Sequence, residues 1–138
     1  MHPSKAGLDL NLCVADIGRS LAFYVDLLGL ELVETYPSGP GMTHRLRFGE
    51  SFLKLTDPSK PPASVDPLCI GIDGAVGMRA VTFQIDDFAA TWDAVVAAGA
   101  PVHMEHASYP KAGIHVGMVL DPDSNVVELL QRGAPWSE

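Results

Sequence analysis

The sequence predicts an α+β fold made of two βαβββ modules, each a small sheet with one helix laid across it. A strand, a capping aspartate, a helical apolar stripe and a glycine stop occur in that order near residue 9 and again near residue 80. Each copy then ends in a hairpin pattern. A module of this kind has one apolar sheet face that its helix covers and one polar face left over. Paired modules would turn the two leftover faces into a curved cleft.

The first copy is the clearer one. From Leu8 to Val14, Leu8, Leu10, Leu12 and Val14 alternate with Asp9, Asn11 and Cys13, the period of a half-buried strand. Asp16 sits at an N-cap position, where its carboxylate can accept from first-turn N–H groups. Ile17, Leu21, Tyr24 and Leu28 form a helical stripe, and Gly29 supplies the C′ stop, so a helix is predicted over Ile17–Leu28. Leu30 to Val33 leaves as a second strand. Thr35 to Gly41 (TYPSGPG) reads as a loop. Arg45 to Phe48, the turn Gly49-Glu50 and Ser51 to Thr56 form the hairpin.

The second copy opens with Ala80 to Ile85, where Val81, Phe83 and Ile85 face one way and Ala80, Thr82 and Gln84 the other. Asp86 and Asp87 are placed to cap a helix over Phe88–Ala98, with Phe88, Trp92, Val95 and Val96 as its stripe and Gly99 as its stop. Ala100 to Met104 reads as a strand and Glu105 to Gly113 as a polar loop. Ile114 to Leu120, the turn DPDSN and Val126 to Gln131 close the copy. The chain is therefore read as a single domain, 1–138, with module one at about 7–57, a linker at about 58–78 and module two at about 79–132. The linker starts DPSKPPASVDP, whose four prolines exclude a central strand. Leu68 to Ile72 is expected to pack against the body or a second subunit. Met1 to Gly7 and Ala134 to Glu138 read as tails, the latter with Trp136 as an anchor.

A net charge of −8 excludes the basic surface that nucleic acid or an anionic membrane requires. No apolar run approaches the roughly 20 residues of a membrane span. The opening MHPSKAG has no apolar signal region, so a cytoplasmic location is expected. Cys13 and Cys69 have no CxxC or zinc-finger spacing and read as free thiols.

Alternation identifies the polar faces. The first strand offers Asp9, Asn11 and Cys13. A two-residue turn pairs Phe48 with Ser51, which puts Arg47 opposite Phe52 and Arg45 opposite Lys54. Leu46, Phe48, Leu53 and Leu55 then take the helix side, and Arg45, Arg47, Phe52, Lys54 and Thr56 the other. The second module adds Thr82 and Gln84, with Val126, Glu128 and Leu130 from the last strand. Three cations on one hairpin face are either a solvated surface or a wall that holds an anion, Arg acting as a carboxylate or phosphate fork.

VADIGRSLAFYVDLLGLEL and LDPDSNVVELL resemble the two signature segments of the vicinal oxygen chelate superfamily, which includes glyoxalase I, extradiol dioxygenases and bleomycin-binding proteins. The resemblance covers nearly the full length. It implies that Val116 and Met118 join the cleft face and that His115 points away. It also implies four metal-ligand positions, typically filled by His, Glu or Gln, His and Glu. Here they hold Asp9, Lys54, Ala80 and Glu128. An ammonium repels a divalent cation and a methyl cannot ligate, so an ion-pair network is expected there and no metal or other cofactor is assigned.

The reading that follows is an enzyme with a metal-independent acid–base cleft, acting on an anionic or carbonyl-bearing small molecule by isomerase, epimerase, cyclase or lyase chemistry. Glu128, Lys54 and Asp9 are its expected catalytic groups, with Glu128 as acid–base and Lys54 holding a carbonyl or carboxylate. Asn11, Arg45, Arg47, Phe52, Thr82, Gln84, Val116 and Met118 are its expected substrate contacts. An antibiotic-type binding protein without turnover is the alternative, and a divalent-metal lyase or dioxygenase the third. Homodimerisation is expected, because each small module leaves apolar edges to cover.

Overall fold

The computed structural model describes residues 1–39, 41–60, 62, 76–110 and 113–133. The predicted apolar stretch 68–72 with Cys69, most of the proposed linker and the tail 134–138 with Trp136 lie outside the described residues. The chain divides into two compact units, Met1–Val65 and Asp66–Glu138, and each is described by itself.

The first unit runs β1 (Asp9–Cys13), α1 (Ile17–Leu21), a π-helical continuation (Ala22–Leu27), β2 (Glu31–Ser38), β3 (Gly41–Phe48) and β4 (Ser51–Pro58). Its sheet has the order β1-β4-β3-β2, with β1 parallel to β4 and the other pairs antiparallel. The second unit runs β5 (Val81–Gln84), α2 (Phe88–Ala97), β6 (Val102–Tyr109), β7 (Ile114–Leu120) and β8 (Val126–Arg132), in the order β5-β8-β7-β6. The two units share one topology, and βαβββ repeated is the fold.

In the first unit the hairpin takes the register its turn dictates: Phe48 pairs with Ser51, Arg47 with Phe52 and Arg45 with Lys54. Val14, Leu46, Leu53 and Leu55 are thereby buried with Phe23 and Tyr24 of the helix. The Asp16 carboxylate accepts from the Arg19 N–H at 3.0 Å, as an N-cap should. The helix then departs from the 3.6-residue stripe. The Leu28 N–H donates to the Phe23 carbonyl, five residues back, at 3.0 Å. The wider turn brings Phe23 into the core edge-on to Tyr24, with ring centroids 5.0 Å apart, while Ile17, Leu21 and Leu28 are only half-buried. Leu8 was expected on the apolar face; it precedes β1 and is exposed.

In the second unit α2 buries Phe88, Trp92 and Val95, but Val96 lies outside the stripe and is exposed. Asp87 occupies the N-cap position without a side-chain capping bond; the Phe88 N–H donates instead to Gln131 Oε1 of β8 at 3.0 Å. Both helices end at a glycine in the left-handed region, Gly29 at φ 78° and Gly99 at φ 79°, where a side chain is strained. The DPDSN turn is held by Asp121, whose carboxylate accepts from the backbone N–H groups of Asp123 and Asn125 and from the Asn125 amide.

Two expected loops are strands. Residues 35–38 continue β2, and 105–109 continue β6. Both lie at sheet edges, where a proline such as Pro37, or a polar run, takes fewer ladder hydrogen bonds out of the sheet than it would in a central strand. Among the described residues no helix is long and apolar enough to cross a membrane.

Candidate functional site

The strand registers arrange the polar face of the first unit in three rows. Glu31, Arg47, Phe52 and Asp9 form the first, Glu34, Arg45, Lys54 and Asn11 the second, and Tyr36, Thr43, Thr56 and Cys13 the third. All six site residues expected from this module therefore share one face. Most of its charges are matched in pairs. Arg45 Nη1 donates to Glu34 Oε1 at 2.7 Å, Arg47 Nε lies 3.3 Å from Glu31 Oε2, and Lys5 Nζ donates to Asp9 Oδ1.

Phe52 lies beneath this network. The Arg45 guanidinium carbon is 3.7 Å from its ring centroid, Lys5 Nζ 4.7 Å and the Arg47 guanidinium carbon 5.8 Å. Its ring is a platform for cations, whose charge the π-face stabilises. Asn11 Oδ1 accepts from Thr56 Oγ1 at 3.0 Å. The Lys54 ammonium, between Arg45 and Asn11 in its row, has no ion-pair partner among the described residues. Among the described residues four cations and three carboxylates thus meet on this face, and Lys54 is the cation with no ion-pair partner.

Asp9 is the most committed group. Besides Lys5, it accepts from the Phe52 backbone N–H at 3.0 Å. The Lys5 hydrogen bond, opposed by desolvation and assisted by the Phe52 N–H and the charges of Lys5 and Lys54, holds its carboxyl below the usual aspartate value. A carboxyl depressed in the folded state contributes stability above its unfolded value, near pH 3.9, and loses it as pH falls through the lower folded value. NMR titration should therefore place Asp9 below the ordinary range in the wild type and move it upward in Lys5→Ala. An unchanged Asp9 titration in that variant would discard the Lys5 contact as its cause.

In the second unit Thr82, Glu128, Met118 and Met104 form one row, and Gln84, Leu130, Val116 and Ala107 the next. All five site residues expected from this module share that face. Glu128 is half-buried between Thr82 and Met118, with buried Val126 and Leu130 on either side along its strand. Thr82 Oγ1 donates to its Oε1 at 3.0 Å, and no other described residue hydrogen-bonds or pairs with it. A carboxylate with one oxygen uncommitted beside apolar side chains is able to accept a proton from a bound molecule.

The four positions where the resemblance implies metal ligands do not make a fitting donor set. Asp9 is tied to an ammonium and a backbone N–H, Lys54 is itself a cation, Ala80 has no donor atom, and only Glu128 offers an available carboxylate. Three charged neighbours of these residues escaped the sequence reading. Lys5 lies in a tail expected to fray, yet it reaches Asp9 and Phe52, and the adjacent Ala6 N–H donates to Glu50 Oε2 at 2.9 Å. Glu31 and Glu34 are the other two; acidic residues on a strand beside Arg45 and Arg47 were the available signal.

The family model described as "Glyoxalase/Bleomycin resistance protein/Dioxygenase superfamily" matches residues 8–129. A protein of Vibrio parahaemolyticus serotype O3:K6 named "Probable lactoylglutathione lyase" is 27% identical over 126 residues, covering 88% of this chain and 86% of that one. The crystal structure of lactoylglutathione lyase from Agrobacterium tumefaciens superposes with a TM-score of 0.61 at 27% identity, covering 94% of each chain. TnmS3, an antibiotic binding protein from Streptomyces sp. CB03234, superposes with a TM-score of 0.69 at 23% identity, covering 96% of this chain and all (100%) of that one, a likeness of fold.

Proposed function

This chain belongs to the glyoxalase/bleomycin resistance protein/dioxygenase superfamily, and we propose that within it the chain is a metal-independent enzyme acting on a small molecule with a carboxylate beside a carbonyl. The observation that carries this reading is the Lys54 ammonium, which has no ion-pair partner among the described residues on a face whose other cations are paired. One surplus positive charge suits one carboxylate. Arg45 can share the anion by turning from Glu34, and Asn11 presents its amide beside Lys54. Asp9 serves as a positioning group that holds Lys5 over Phe52.

Glu128 is the acid–base group of this proposal. It takes a proton from the carbon next to the carbonyl and returns it to a different carbon or face, so no redox partner is required. Within the second unit Thr82 orients it, and Gln84, Val116 and Met118 share its face. The electron pair released from carbon moves onto the carbonyl oxygen, where a cation or N–H donor stabilises the enolate. The donor set at the four family positions supports a reaction that runs without a metal.

The test is a panel of 2-oxo and 3-oxo carboxylates incubated with the protein in EDTA. Lys54→Ala should weaken binding of the retained carboxylate by about 1.5–3 kcal/mol, roughly 10- to 150-fold in Kd, through loss of a charge-assisted hydrogen bond. Equal affinity in wild type and Lys54→Ala returns the face to a solvated surface. A ligand recovered unchanged by mass spectrometry assigns a binding protein, and activity that needs metal restored after EDTA assigns a metal-dependent enzyme.

A further inference from the structure

On the opposite face of the second unit, the side covered by α2, two histidines meet across β6 and β7. His106 Nε2 lies 3.2 Å from His115 Nδ1, and the ring centroids are 5.4 Å apart. The bulge between Met104 and Ala107 creates this meeting: it sends Ala107 to the Glu128 face and turns His106 toward α2. Buried Phe88 backs both imidazoles, with its centroid 4.8 Å from His106 and 5.9 Å from His115, and stacks in turn on Trp92 at 5.8 Å. The outer side is open, since His106 is exposed and His115 half-buried.

We propose that His106 and His115 form a bidentate site for a borderline first-row divalent cation, of which Zn²⁺, Ni²⁺ and Cu²⁺ are the chemical class. Two imidazole nitrogens about 2.0–2.1 Å from one ion stand roughly 3 Å apart, which is the separation already present. Imidazole suits these ions over Mg²⁺ or Ca²⁺. One facing nitrogen carries the proton shared with the other; moving it to the far nitrogen of the same ring presents two lone pairs with no net proton released. The aromatic wall of Phe88 holds the rings in place, so little side-chain freedom is lost on binding. Water completes the coordination from the open side. The ion would clip β6 to β7, and it lies on the face of the sheet away from Glu128.

The experiment is titration of metal-stripped, untagged full-length protein with Zn²⁺, followed by calorimetry and by the imidazole ring signals in NMR. One equivalent should bind, moving the His106 and His115 signals and leaving those of His44 and His103 in place. Affinity should fall more than roughly tenfold in His106→Asn and in His115→Asn, and stay unchanged in Glu128→Gln and His2→Ala. Ring signals of His106 and His115 that do not move in the wild type overturn the site without recourse to any variant. An affinity loss that follows Glu128→Gln or His2→Ala instead assigns the ion elsewhere and overturns it equally.

Discussion

Glu128→Gln should abolish exchange of the substrate's C–H proton with solvent deuterium, lowering it by roughly 10²–10⁴-fold, while ligand binding stays largely intact. The amide is close in shape to the carboxylate and can still accept from Thr82, so the β5–β8 pairing and the Val126 and Leu130 packing have no reason to move. What it cannot do is take a proton. Deuterium wash-in followed by proton NMR on the retained oxo-carboxylate separates the two properties directly. A parallel loss of affinity and exchange would make Glu128 a binding group, and undiminished exchange would remove it from the chemistry altogether. Thr82→Val should give a smaller decrease, because it leaves the carboxylate present but unoriented.

Gly117→Ala should be the most destabilising small substitution in the second unit. A Cβ at this position would lie 2.4 Å from Cζ3 of Trp92 and 2.8 Å from two further ring atoms. Trp92 is buried and stacked on Phe88, so it has no free direction to give way. Overpacking of this kind costs about 1–3 kcal/mol, and with a rigid ring as the obstacle the upper half of that range is expected. Thermal unfolding should show a Tm lower by roughly 5–15 °C. Trp92→Leu alone leaves a cavity, but in combination with Gly117→Ala the methyl group occupies part of it. The double variant should therefore be more stable than the sum of the single effects requires. Strictly additive losses would mean that Gly117 and Trp92 do not share the space.

Most elements and the register of the first hairpin were legible in the chain because they depend on local periods. Alternation over residues 9–14, 80–85 and 126–130 and the two-residue turn Gly49-Glu50 are short-range patterns, and they gather Arg45, Arg47, Phe52 and Lys54 on one face and Thr82 and Glu128 on another, where the family resemblance also implied Met118. Departures from a constant period were decided only by tertiary structure. Glu31 and Glu34 are three residues apart, and strict alternation sends them to opposite faces; the bulge between Leu32 and Glu34 returns both to the cations. The matching bulge in β6 swings His106 toward His115. The π-helical turn likewise moves Phe23 into the core against a 3.6-residue count. In each case one extra residue shifts the phase of everything after it. Packing of the finished sheet or helix selects where that residue is absorbed, and no local preference of the amino acids marks the place.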